Sequence, residues 1–244
     1  MLQLREFRLN TLPFSGKLLC TLFLTCVGIG YIFCQLNVFL SYHMADGNNG
    51  LSIKDIELKF YGQRDVLLVE SKLKGTMAEH LEYENDRNNL ITWAKRGAKK
   101  KEFKDVKNII VKKCLRCHTA GGEAGFAPFD KLSMITEIFT RTNHGVTVNR
   151  LITLSHIHMI SIGAIFALTG VIFFFSPINE KLKIALIIFP FGSLMMDIFS
   201  WWLTKLTPIF AVTVFVGGIL TVIAFLVQFV ISLISIWSNK WENA

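Results

Sequence analysis

Hydrophobic and polar positions fall in long blocks along this chain, not in the short periods of a water-soluble domain. No Lys, Arg, Asp or Glu occurs between Lys17 and Asp46, between Arg150 and Glu180, or between Lys205 and Lys240, which leaves uncharged runs of 28, 29 and 34 residues. A helix needs about 20 apolar residues to cross a bilayer, so each run is long enough. A fourth stretch, Ile184 to Leu203, is equally apolar apart from Asp197. The pattern predicts transmembrane helices over 18–42, 151–176, 184–203 and 208–237, short ends at 1–17 and 238–244, and a polar insert over 43–150. The fold class is an all-α integral membrane protein, with a mainly helical insert between the first and second of four membrane helices.

Local signals divide the insert further. Ser52 is placed to cap a helix from Ile53 to Phe60, and Glu84 to Arg96 carries Leu90, Ile91 and Trp93 before stopping at Gly97. Phe103, Val106, Ile109 and Ile110 share one face of a helix that leads into Cys114, and Asp130 is placed to cap a helix from Met134 to Phe139. In the membrane part, the short connections at 176–183 and 204–208 make the last three helices antiparallel neighbours. Pro190 is expected to interrupt the third helix and Gly217-Gly218 the fourth, as packing features.

The basic residues orient these helices. Arg5, Arg8 and Lys17 precede the first helix, Lys181 and Lys183 lie between the second and third, and Lys240 follows the fourth. The short loop on the other side holds a single Lys205. The positive-inside rule then places both termini in the cytoplasm and the insert outside a bacterial cytoplasmic membrane, in the periplasm. The insert's own charges do not count, because its 108 residues exceed the roughly 60-residue limit of that rule. The apolar core from Leu18 to Leu40 exceeds the about 7–15 residues of a signal peptide and no A-x-A pattern follows, so a retained anchor is expected. Trp201 and Trp202 fit an outer aromatic belt, Trp237 and Trp241 an inner one.

Charge sharpens the picture of the insert. The net charge is +8, which in a soluble chain would suggest nucleic acid. Between Lys95 and Arg116, however, ten basic residues (95, 96, 99, 100, 101, 104, 107, 112, 113 and 116) face only Glu102 and Asp105, so this segment alone carries the whole excess. With four membrane spans, a nucleic-acid role drops out. The collar suits an acidic redox partner protein or anionic lipid headgroups, or is simply a solvated helix face.

The candidate chemistry begins where the collar ends. Cys20, Cys26 and Cys34 lie in the first apolar helix and act there as small apolar side chains. Cys114-Leu115-Arg116-Cys117-His118 is a C-x-x-C-H sequence, the attachment signature of one covalent haem c. Two cysteines three apart on a helical turn can each form a thioether to one vinyl group of a porphyrin, and the following imidazole can ligate the iron. Competing explanations are a thioredoxin-like redox pair, a zinc site and a plain disulfide. The first wants a βαβ context, the second a further ligand pair, and the third has no use for His118.

Residues 97–142, with the helix before Cys114, the motif, Gly121-Gly122 and Phe126-Ala127-Pro128-Phe129-Asp130 after it, resemble the first half of a small cytochrome c. The resemblance implies a membrane-anchored monohaem c-type cytochrome with Cys114 and Cys117 attached to haem and His118 as proximal iron ligand. It also implies a second ligand from a downstream loop, whereas only 32 residues separate His118 from Leu151. The distal candidates are Met77, Met134, His144 and His156, or the iron is five-coordinate. One C-x-x-C-H segment followed by a bundle that opens on Ser155-His156-Ile157-His158 also resembles a group of bacterial membrane proteins of unsettled activity.

All six histidines lie between residues 43 and 158, on one side of the bundle. His156 and His158 sit within about two turns of the outer end of the second helix, and Asp197 about 9 Å below the outer end of the third. An ionisable group in a membrane helix is costly unless paired or wet. Asp197 is therefore expected to pair with one of the histidines as a proton or quinol site, or to bond Ser200 or Lys205 near the surface. Three functions follow: an electron carrier in a respiratory chain, a quinol-oxidising subunit using His156, His158 and Asp197, or a haem-based sensor or assembly subunit.

Overall fold

The computed structural model describes residues 8–123 and 127–238. Arg5, Phe126, Lys240 and Trp241, used above, lie outside the described residues. The chain divides into two compact units, one of residues up to Val38 with those from Val148 onward, the other Phe39–Thr147. The second corresponds to the polar insert.

Four helices in the described residues are long and apolar enough to cross a membrane: α1 (Phe14–Tyr42), α7 (Val148–Phe174), α8 (Glu180–Leu206) and α9 (Ala211–Trp237, preceded by a 3-10 turn Pro208–Phe210). The chain is a membrane protein. Large apolar side chains such as Leu19, Ile32 and Ile188 stand exposed along them, which water would penalise and lipid does not. Three helices begin before their uncharged cores, taking in Lys17, Arg150 and Glu180, because a helix continues into the polar layer where charge is tolerated. Asn179 starts α8 by accepting the Lys181 N–H on Oδ1 at 3.0 Å.

Pro190 does not interrupt α8, which runs unbroken through it. A proline has no N–H for the carbonyl four residues back, here Leu186, and a bilayer offers no water to replace it. Gln228 of α9, itself buried, donates Nε2–H to that carbonyl at 2.7 Å. Its Oε1 accepts from Thr169 of α7 at 3.4 Å, so one amide ties three helices at the proline. Gln228→Leu should lower unfolding stability in detergent by about 1–2 kcal/mol through the orphaned carbonyl. An unchanged unfolding midpoint would show that the joint contributes nothing.

Gly217 neither kinks nor ends α9. A Cβ there would lie 2.9 Å from Asp197 Cα and 3.0 Å from its Cβ, so glycine lets α9 press directly on the backbone of α8. The lower end of α1 is fixed where Trp237 Nε1 donates to Thr21 Oγ1 at 3.0 Å, and its middle where Tyr31 stacks on Phe225 at 4.6 Å.

The insert unit is mainly helical: α2 (Ile53–Phe60), α3 (Leu68–Lys74), α4 (Glu84–Lys95), α5 (Phe103–Ile109) and α6 (Leu132–Thr140). It adds an antiparallel ribbon that the sequence did not announce, β1 (Gln63–Leu67) against β2 (Thr142–Asn143). Gly62 makes this ribbon possible: it adopts φ +87°, and a side chain there would run into the Asn143 carbonyl. Ser52 caps α2 as expected, in a reciprocal box with the buried Asp55: the Asp55 N–H donates to Ser52 Oγ at 3.0 Å and the Ser52 N–H to Asp55 Oδ2 at 2.8 Å.

The core of this unit gathers Leu90 and Trp93 of α4, Val106 of α5, Ile135 and Phe139 of α6, together with Ile110, Cys114 and Phe129. Trp93 meets Phe139 edge-on at 5.3 Å and donates Nε1–H to the Lys99 carbonyl at 3.1 Å. Glu70 is buried at its edge; burial pushes its carboxyl up, but bonds and charge from Lys74 and Lys95 outweigh this and leave it below the ordinary glutamate value.

Candidate functional site

Helix α5 delivers the C-x-x-C-H motif through one wider turn, a π-helical stretch Ile110–Cys114 closed by the Leu115 N–H donating to the Ile110 carbonyl at 2.9 Å. Val106 and Ile110 of the predicted apolar face are buried, with Phe103 and Ile109 packed beside them, and this anchors the turn in the core. The Cys117 and His118 N–H groups then both donate to the Cys114 carbonyl, at 3.2 and 3.0 Å, so the two cysteines and the histidine occupy a single tight turn.

The two thiols differ. Both are free, which disfavours the plain disulfide. Cys117 is half-buried with Sγ 3.7 Å from Glu123 Oε2. Cys114 is buried, and desolvation, with a smaller push from Asp86, raises its thiol to about 11. Only the thiolate is alkylated, so in haem-free protein at pH 8 about 0.1% of Cys114 is reactive. Its labelling rate should rise close to tenfold per pH unit toward 11, read from the mass of the Cys114 peptide. A pH-independent rate would contradict the burial.

His118 is fixed from two sides. Its Nδ1 lies 2.8 Å from the Ala127 carbonyl, which can only accept, so Nδ1 carries the proton and Nε2 keeps its lone pair. The ring stacks on Phe129 at 4.3 Å with 6° between the planes. Two further bonds fold the loop after the motif back on it: the Phe129 N–H donates to the His118 carbonyl at 2.7 Å, and the Ala120 N–H to Asp130 Oδ2 at 2.9 Å. That last bond corrects the reading of Asp130 as a helix cap. The cap position of α6 is Lys131, which makes no side-chain bond there, and the Asp130 carboxylate is taken by the loop instead.

The donor set fits a haem c. Nε2 of His118 has no hydrogen-bond partner among the described residues, and a carbonyl bond to the opposite nitrogen is the arrangement that orients a metal-binding imidazole and raises its basicity. A zinc site fits less well, since no group of three His, Cys, Asp or Glu side chains among the described residues could hold a metal ion. A porphyrin brings four nitrogens of its own and asks the chain for one or two more.

The distal candidates separate. Met77 packs against the core that contains Cys114. Met134 is 37% exposed, beside Ile135, which turns inward in its place. His144 is exposed, with Nε2 2.7 Å from Thr142 Oγ1. His156 belongs to the other unit and is exposed. All ten basic residues of the collar are exposed; Lys95 is spent on Glu70, and Lys113 lies over the Tyr83 ring at 5.8 Å.

In the membrane unit, Asp197 pairs with neither of the expected histidines nor with Ser200 or Lys205. Its Oδ1 accepts from Trp201 Nε1 at 3.0 Å, while Ser200 Oγ donates back to the Met196 carbonyl at 2.6 Å. Trp201 is accordingly buried in the bundle. Spacing held the signal that sequence reasoning missed: Trp201 is four residues after Asp197, one turn along the same face. His158 reaches the pair indirectly, its ring edge-on to Trp201 at 5.1 Å, and its Nδ1–H is held by the Leu154 carbonyl at 2.8 Å. Trp202 Nε1 donates to Ser155 Oγ at 3.0 Å, closing α8 onto α7 one turn away.

A family model, the Aq_1264_TM transmembrane helical domain, matches residues 137–243. The match spans α7, α8 and α9 and stops short of the C-x-x-C-H turn. No curated protein and no solved structure matches the chain.

Proposed function

We propose that this chain is a membrane-anchored monohaem c-type cytochrome that transfers electrons at the outer face of a bacterial cytoplasmic membrane, within a respiratory chain. The observation that carries the proposal is the His118 imidazole, held by the Ala127 carbonyl with Nε2 unpartnered among the described residues, on the turn that presents Cys114 and Cys117. Haem c, when bound, supplies a one-electron iron couple. Cys114 and Cys117 would hold it, each adding its S–H across one vinyl double bond with no leaving group and no net oxidation. His118 Nε2 would ligate the iron, the Ala127 carbonyl would strengthen that ligand, and Phe129 would keep its ring from turning. Met77 is the favoured second ligand, because it shares a core with Cys114.

Location follows from the same reading. Haem c attachment is extracytoplasmic, and the basic flanks at Arg8, Lys17, Lys181 and Lys183 favour the same orientation for the insert. The exposed collar would steer an acidic redox partner toward the motif in a salt-dependent way. A visible spectrum of protein expressed with the haem-attachment machinery tests the assignment: a c-type α band that survives acid-acetone extraction is expected, and a colourless or fully extractable protein would end it.

A further inference from the structure

Three helices of the membrane unit, α7, α8 and α9, meet at the Asp197–Trp201 pair, and the proposed haem uses none of the groups found there. Asp197 offers one oxygen, Oδ1, to Trp201, while Oδ2 has no hydrogen-bond partner among the described residues. His158 gives its Nδ1 proton to the Leu154 carbonyl, a bond only that tautomer can make, so its Nε2 is an acceptor. Both groups touch the same indole, Trp201, one through its Nε1–H and the other through ring contact. Gly217 of α9 packs directly on the Asp197 backbone, which fixes the height of the carboxylate against α9.

Two hydrogen-bond acceptors flanked by aromatic rings, inside a bilayer, define what can bind. A metal cation is disfavoured, since hard cations want six or more oxygens and this site offers one carboxylate. A flat, lipid-soluble molecule with an O–H at each end satisfies both acceptors and stacks on aromatic surface. We infer that the Asp197–Trp201–His158 cluster is a quinol headgroup site, with one hydroxyl donating to His158 Nε2, the other to Asp197 Oδ2, and Trp201 positioning the carboxylate. The site reads redox state directly. With the Asp197 carboxylate ionised, an oxidised quinone presents two carbonyl acceptors to two protein acceptors and leaves both unpaired, so the reduced form binds selectively.

Binding does not depend on haem, which lets the two proposals fail separately. The full-length protein in lipid nanodiscs is titrated calorimetrically with a short-tailed benzoquinol under reducing conditions, and with the matching quinone under oxidising ones. Saturable one-to-one binding of the quinol, at least tenfold tighter than the quinone, is expected. Asp197→Asn and His158→Phe should each weaken it tenfold or more, whereas His156→Gln should leave it unchanged. Equal affinity for the two redox forms in the wild-type protein would overturn the inference even if a variant failed to fold. So would undiminished binding by folded Asp197→Asn and His158→Phe proteins, whatever their visible spectrum shows.

Discussion

His118→Ala protein is expected to carry covalently attached haem with a changed iron, whereas Cys114→Ala/Cys117→Ala protein carries no covalent haem at all. The separation follows from the turn itself, in which thiols and imidazole sit on one hydrogen-bonded loop but do different chemistry. Under the proposed function, loss of this imidazole removes the proximal iron ligand, whose Nδ1 proton is held by the Ala127 carbonyl. Ligand loss should convert the visible spectrum to a high-spin form and open an iron position to carbon monoxide. A His118→Ala spectrum identical to wild type would remove His118 from the iron.

Gly217→Val is expected to have the largest effect on the membrane unit. The added Cβ would meet Asp197 Cα at 2.9 Å, a backbone atom that cannot swing aside, so α8 and α9 must separate. Forced overpacking of this kind costs about 1–3 kcal/mol, offset only by the roughly 0.3 kcal/mol by which valine is the better helix former than glycine. The Gly218→Val substitution, one residue on, where nothing lies within 4 Å, is the control. Unfolding in detergent should begin earlier for Gly217→Val than for Gly218→Val; equal midpoints would contradict the close contact.

How much of this was legible in sequence depends on range. The four spans were legible because a bilayer tolerates so few charges that Lys17, Asp46, Arg150, Glu180 and Lys205 bracket them directly. Ser52 was legible because capping is local, and so was the face of Val106 and Ile110 leading into Cys114. The ribbon was not, because Gln63 pairs with Asn143 across most of the insert and neither segment alternates. Asp130 had the right chemistry for a cap, but a competing donor, the Ala120 N–H, was hidden by loop closure. Gln228 carried no signal at all: its role exists only because Pro190 on another helix frees the Leu186 carbonyl.

The same division runs through the candidate sites. The order of Cys114, Cys117 and His118 is a sequence fact, whereas the Ala127 bond that fixes the imidazole needs the loop to fold back. Depth along the helices put Asp197 level with the two histidines, but depth says nothing of rotation. Rotation left His156 exposed, brought His158 onto Trp201, and gave the carboxylate to the indole.

The account rests on covalent haem at one turn, and the intact mass of the protein, purified after co-expression with the haem-attachment machinery and denatured in acid, tests this most directly. It predicts the 27.7 kDa chain plus one haem, with the added mass on the peptide containing Cys114 and Cys117. The mass of the unmodified chain, with both thiols free to alkylate, would contradict it.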